Sequence, residues 1–143
     1  MTYSDWHTKH IESLTALISS LPCDSIDDVI DHFSYENMRT HHPSHCPLYA
    51  EGIKCHDVQH LNCLFCACPH FQYSDTPLFV SPDGTKTMSI CTIGSKQARR
   101  FTHDNVSHCD CSQCHIPHTV SHIRHLLSNV STKDDLISLI KDS

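Results

Sequence analysis

Glycine is scarce, with three among 143 residues. That scarcity removes the glycine-rich phosphate loop, and neither a serine nucleophile elbow nor a paired acidic motif takes its place. Stand-alone catalysis is therefore disfavoured. Basic clusters are missing too: beyond Ala98–Arg99–Arg100 there is no run of lysine or arginine, and the formal charge is -6. This argues against an electrostatic footprint for nucleic acid and leaves a zinc-finger mode as the one route to that partner. The N-terminal stretch MTYSDWHTKHIESL has neither a basic start nor an apolar run of signal length, and no stretch approaches the roughly 18 apolar residues of a membrane span. A cytoplasmic protein without a membrane partner is expected. Apolar residues make up 38% of the chain, a share that includes ten cysteines, so the aliphatic core of this one-domain length must be thin.

What the chain has instead is cysteine and histidine, ten of one and fifteen of the other. In a reducing compartment such thiols read as metal ligands or redox groups, whereas a secreted disulfide scaffold would need a signal peptide. The histidines titrate near neutrality unless buried or ligated, so acid should drive the net charge strongly positive.

Helical patterning is confined to the two ends. Trp6, His10, Ile11, Leu14, Leu17, Ile18 and Leu21 recur at mostly three- and four-residue intervals, predicting a helix over 4–21 with Ser4 as N-cap and Leu21–Pro22 as its stop. A second helix is predicted from Ser25, whose following Ile-Asp-Asp resembles a capping box, and it should fray between Met38 and Thr40. From His41 to about His118 the period disappears. Within that stretch, residues 77–90 read as a hairpin turning at Pro82–Asp83–Gly84, and 97–105 as loop. After Pro117, Val120, Ile123, Leu126, Leu127 and Val130 restore a helical face, and a last short helix is expected to be capped at Ser131 or Thr132.

Seven of the ten cysteines fall in two stretches, 55–68 and 109–114. Cys63–Leu–Phe–Cys66–Ala–Cys68 offers three thiols within six residues, and Cys111–Ser–Gln–Cys114 offers two more with the same two-residue gap. That gap lets two thiolates turn toward one ion or cluster. A mononuclear zinc would take Cys63 and Cys66 with Cys111 and Cys114. An iron-sulfur cluster, whose irons are separate attachment points, accepts the C-x-C pair and the following Pro69 more readily, so the local pattern favours the cluster while zinc stays open.

These strings resemble the cysteine-rich small domain, a family regarded as metal-binding that occurs alone or fused to cobamide-biosynthesis enzymes. The resemblance rests on Cys55–His56, on Asn62–Cys–Leu–Phe–Cys66 with Cys68–Pro69, and on Asp110–Cys–Ser–Gln–Cys114 with Pro117–His118. It covers roughly residues 45 to 125. It implies core cysteines at Cys55, Cys63, Cys66, Cys68, Cys111 and Cys114. The chain departs from the family pattern at Lys54, Ala67 and His70–Phe71, where the family carries proline, tyrosine and Leu-Tyr. Cys46 and Cys91 match family cysteines only with altered spacing.

Other donors have plainer readings. His118, at the family's Pro-His, and His56, beside Cys55, are candidate ligands or groups supporting one. His122 and His125 continue a helical spacing from His118 and read as a solvated polar face. His41, His42 and His45 with Cys46 read as a flexible linker, with a labile metal-acquisition site as the sharper alternative. Cys23 reads as an incidental thiol, and Cys109 as a reserve ligand through its C-x-C with Cys111.

The fold expected is a small, irregular α+β one, a metal-centred cysteine-rich lobe with a short β-hairpin flanked by N- and C-terminal helices. Residues 1–40 would form a helical extension and 41–143 the cysteine-rich domain. The function expected is metal binding, an iron-sulfur cluster or zinc, in a structural or electron-transfer role accessory to another protein. A redox or cobamide-pathway enzyme and a metal chaperone or sensor are the alternatives. The sequence leaves any small-molecule substrate undefined.

Overall fold

Thr2, rather than Ser4, starts the first helix. Its hydroxyl accepts the Asp5 N–H at 3.2 Å while the Asp5 carboxylate accepts the Thr2 N–H at 3.0 Å, a reciprocal box that satisfies two helix-end donors. In the computed structural model, which describes residues 2–142, this helix is α1 (Tyr3–Ser20), and it ends at Leu21 ahead of Pro22. The predicted second helix is two. α2 (Ile26–His32), capped by Ser25, breaks at Phe33, and α3 (Tyr35–His41) restarts on the Ser34 cap. The break frees backbone groups for long-range use: Cys63 N–H donates to Phe33 O at 2.7 Å and Tyr35 N–H to Leu61 O at 3.0 Å. Interior amides must find partners, and here tertiary ones replace those of a continuous helix.

Six short strands follow: β1 (Phe71–Tyr73), β2 (Phe79–Val80), β3 (Lys86–Thr87), β4 (Ser89–Cys91), β5 (Arg99–His103) and β6 (Val106–Asp110). The predicted hairpin is β2–β3, antiparallel, with Gly84 at φ 89° in its turn. Residues 97–105 are not the predicted loop. β5 pairs antiparallel with β6 through a tight turn at Asp104 and Asn105, whose positive φ angles of 50° and 62° match the strand twist a two-residue hairpin requires. The strands form a four-stranded sheet in the order β2-β3-β6-β5, with β3 and β6 parallel, and a separate β1–β4 pair. Arg100 joins the two, donating to Ser89 O at 2.6 Å and to Ser107 Oγ at 2.6 and 3.1 Å. The longest basic run in the sequence is thus partly a structural tie.

A 3-10 turn (Ile116–His118) leads into α4 (Val120–Leu126), and Thr132 caps α5 (Lys133–Lys141). The result is the small α+β arrangement expected, helices flanking a sheet region. One apolar cluster joins Leu14 and Ile18 of α1, Val29 and Ile30 of α2, Met38 of α3, Leu61, Leu64 and Phe65, Ile123 of α4, and Leu136 and Ile140 of α5. Lys133 Nζ closes the terminal layer by donating to Leu21 O at 2.6 Å. Among the described residues no helix is long and apolar enough to cross a membrane.

α1 also packs on the segment after α3, where His10 lies against His45 with ring centroids 5.4 Å apart. Burial, then the neighbouring His45 and His7 charges, lower the His10 pKa to about 4. Unfolded, the ring titrates near 6.5, so between those values the unfolded chain holds the extra proton and stability falls as pH falls. In chelator-treated protein this should remove about 1–2 kcal/mol between pH 6.5 and 4, solvent screening of the partly exposed ring trimming the full effect. Urea unfolding across that range checks it: His10→Gln should have the shallower pH slope, and an unchanged slope would exclude His10 as its source.

Candidate metal centre

Asn62 organises the site from below. It is 2% exposed, and its side chain donates to Ile30 O at 2.8 Å while accepting Leu64 N–H at 3.0 Å. Its backbone N–H donates to His118 O at 3.0 Å, and its carbonyl accepts from His118 Nδ1 at 3.0 Å. One buried asparagine therefore fixes the C-terminal end of α2, the start of the Cys63–Cys66 knuckle and the His118 ring. Between the knuckle thiols, Leu64 and Phe65 are buried in the apolar cluster, so the knuckle is anchored by its middle.

Cys55, His56 and His118 form the tightest donor group: their ligand atoms lie within 4.8 Å of one another, and among the described residues no other trio of His, Cys, Asp or Glu donors does so. His56 Nδ1 is 3.1 Å and His118 Nε2 3.9 Å from Cys55 Sγ. A carbonyl can only accept, so the nitrogen facing one carries the proton: Nδ1 of His118 toward Asn62 O, and Nε2 of His56 toward Cys111 O at 3.4 Å. The bare nitrogens of both rings then face the Cys55 sulfur. Metal-binding imidazoles are commonly oriented in this way, with the far N–H donated to a carbonyl. A tetrahedral ion with bonds of about 2.3 Å to sulfur and 2.0–2.1 Å to nitrogen holds the two atoms about 3.5 Å apart, within the observed spread. The three residues can hold a metal ion.

Beside this trio lies a small cavity of about 80 Å³, walled by the thiols of Cys66, Cys68, Cys91, Cys111 and Cys114 and by His56, His70 and His118. Its walls come from separated elements. Cys91 ends β4, paired opposite Phe71, which brings it to the segment carrying Cys68 and His70. Cys114 N–H donates to Cys111 O at 3.0 Å, closing the second knuckle, and Ser95 Oγ lies 3.4 Å from Cys114 Sγ. Cys109 Sγ touches Cys111 Sγ at 3.5 Å behind the wall.

The electrostatics of these thiols follow from crowding. Burial raises the Cys55 and Cys68 pKa values, and Cys111 is pushed to about 12 by burial and by the Cys109 thiol. Cys66 is raised well above the ordinary value, its hydrogen bond with Cys63 contributing most and burial next. Cys63 is lowered, chiefly because that same contact stabilises its thiolate. Burial also lowers the His118 pKa, keeping the ring neutral and a potential ligand.

The sequence-proposed donors thus occupy three positions. Cys55, His56 and His118 converge; Cys66, Cys68, Cys111 and Cys114 line the cavity; Cys63 is buried against Cys66 and the core rather than on the cavity wall. His118 lies in the 3-10 turn ahead of α4, not on the same helix as His122 and His125. His122 is not simply a solvated side chain, for its Nε2 lies 3.0 Å from His70 Nε2. His70 and Cys91 are wall residues that local spacing did not single out, because strand pairing and helix packing bring them in. All ten cysteines are free.

Fold and site together define a small α+β protein, rich in cysteine and histidine, with a group of residues able to hold a metal. No protein family, curated protein or solved structure matches the chain.

Proposed function

We propose that this chain is a metal-centred accessory protein whose principal centre is an iron-sulfur cluster in the thiol-lined cavity. The observation that carries the reading is the spacing of the wall. Thiolates on one tetrahedral zinc lie about 3.8 Å apart, yet no three wall thiols share even a 4.8 Å span. Wide spacing around an enclosed space suits a guest whose thiolates attach to separate irons. Organic ligands typically need about 300–1,000 Å³, so a cavity of about 80 Å³ favours an inorganic guest over a small-molecule substrate.

Zinc is the second reading, favoured by the Cys55, His56 and His118 geometry described above. The resemblance to the cysteine-rich small domain supports a metal role and is neutral between the two. An accessory role, structural or electron-transferring, is supported by thiols gathered around a cavity of inorganic size, and the thiol-imidazole contact of catalytic length, Cys55 Sγ to His56 Nδ1 at 3.1 Å, belongs to the trio able to hold a metal. When bound, a cluster would supply a one-electron couple, and four of the five wall residues Cys66, Cys68, Cys91, Cys111 and Cys114 would hold it. The shielding side chains are this chain's own contribution, since burial and hydrogen bonds to sulfur set a cluster's potential.

Anaerobic purification with iron, sulfide and zinc analysis and a visible spectrum tests the reading. Brown protein with iron and acid-labile sulfide in matching amounts is expected. Colourless protein with stoichiometric zinc selects the second reading, and absence of both metals overturns the metal-centred function.

A further inference from the structure

A second set of imidazoles lies apart from the thiols, where α1 meets the turn following α3. His10 and His45 face each other across this junction with ring planes 50° apart. The Nε2 atoms of both rings are buried, and neither has a hydrogen-bond partner. Orphaned buried nitrogens are uncommon because nothing offsets their lost hydration, and two at one contact call for a shared third group. The rings are held in place: Trp6 stacks on His10 at 4.9 Å and 15°, while Phe33 meets His45 edge-on at 6.2 Å.

A third imidazole lies near the pair but does not complete a trio of the span a metal needs. His42 lines the same cleft, and the turn holding it beside His45 is fixed by the His45 N–H donating to His42 O at 3.0 Å. Its Nε2 lies 2.7 Å from His32 Nε2, a contact that turns it toward α2. Lys9 also borders the cleft, but its long side chain is exposed and free to extend into water.

We propose that His10 and His45 bind a divalent transition-metal ion at the junction of α1 and residues 42–45, with water completing its coordination. Imidazole-only donors suit zinc, nickel and copper(II). The ion would satisfy both orphaned nitrogens at once and tie α1 to the segment after α3. This site shares no ligand with the thiol centre, and its existence does not depend on which metal that centre holds.

The single tryptophan supplies the readout, since Trp6 stacks directly on one proposed ligand. Full-length protein, purified with its thiol centre intact, is titrated with nickel(II) while Trp6 emission is followed. One equivalent should quench most of the emission, and zinc(II) should reverse it by displacement. His45→Gln leaves Trp6 and His10 in place and should weaken the response about tenfold or more, as should His10→Gln. His122→Gln should leave it unchanged. The proposal is overturned if the wild type does not quench, in which case a bridging water satisfies the nitrogens, or if quenching persists unaltered in His45→Gln. Circular-dichroism melts verify folding, and because the two ligands lie on different elements, either variant alone decides the question if the other unfolds.

Discussion

Cys114→Ser is expected to empty the thiol-lined cavity and to destabilise the region between Cys55 and His118 cooperatively. Cys114 is 7% exposed, closes the second knuckle through its own N–H, and contributes one of the cavity thiols. Structural metal sites contribute folding energy directly, about 10–16 kcal/mol for zinc in small fingers at neutral pH. Losing one ligand forfeits a large part of that, and hydroxyl for thiol leaves a poor donor in its place. The consequence is large because little else holds this lobe: its strands run two to five residues, and β5 is exposed along its whole length. Cys23→Ser is the control, a thiol change in the turn between α1 and α2 where Cys23 packs against the core, and should leave metal content unchanged while lowering the melting temperature much less than Cys114→Ser does. Metal analysis and thermal unfolding of the pair read the result. Full metal content and wild-type melting in Cys114→Ser would exclude Cys114 as a ligand.

The second large effect belongs to a residue that touches no metal. Asn62→Leu is nearly conservative in volume, yet it leaves Leu64 N–H without a partner in the interior and Ile30 O with the Phe33 N–H alone. An unsatisfied buried group costs about 1–3 kcal/mol, so a loss of about 1–3 kcal/mol is expected in urea unfolding. Metal affinity should fall as well, by about 10–100-fold, the range seen when groups orienting a ligand are removed. The reason is positional: the Asn62 side chain holds the carbonyl that keeps the His118 proton on Nδ1 and its Nε2 toward Cys55. Loss of stability with unchanged metal affinity would show that Asn62 supports the core alone. The two substitutions thus separate ligation from positioning.

Some of this organisation is legible along the chain. The stripe from Leu14 to Ile18, the cap at Ser25, the cap at Thr132 and the turn at Gly84 are settled by residues within three or four positions of one another. The α2–α3 break was not visible in that way, because Phe33 and Ser34 leave the helix to pair with Cys63 and Asn62, some thirty residues on. β5 was missed although a signal existed: Asp104–Asn105 is a dipeptide that tolerates the left-handed conformation a tight hairpin needs. β5 is exposed along its whole length and shows no alternation, so the turn is its local signal.

The donors divide along the same line. The pairing of Cys63 with Cys66 and of Cys111 with Cys114 is read from local spacing, since a two-residue gap is a local constraint. Which donors meet is set by long-range packing. Cys91 reaches the cavity through the β1–β4 pairing, His118 is aimed at Cys55 by a carbonyl 56 residues away, and His10 finds His45 across a helix junction. Such convergence depends on burial and on long-range hydrogen bonds formed between segments that share no local pattern.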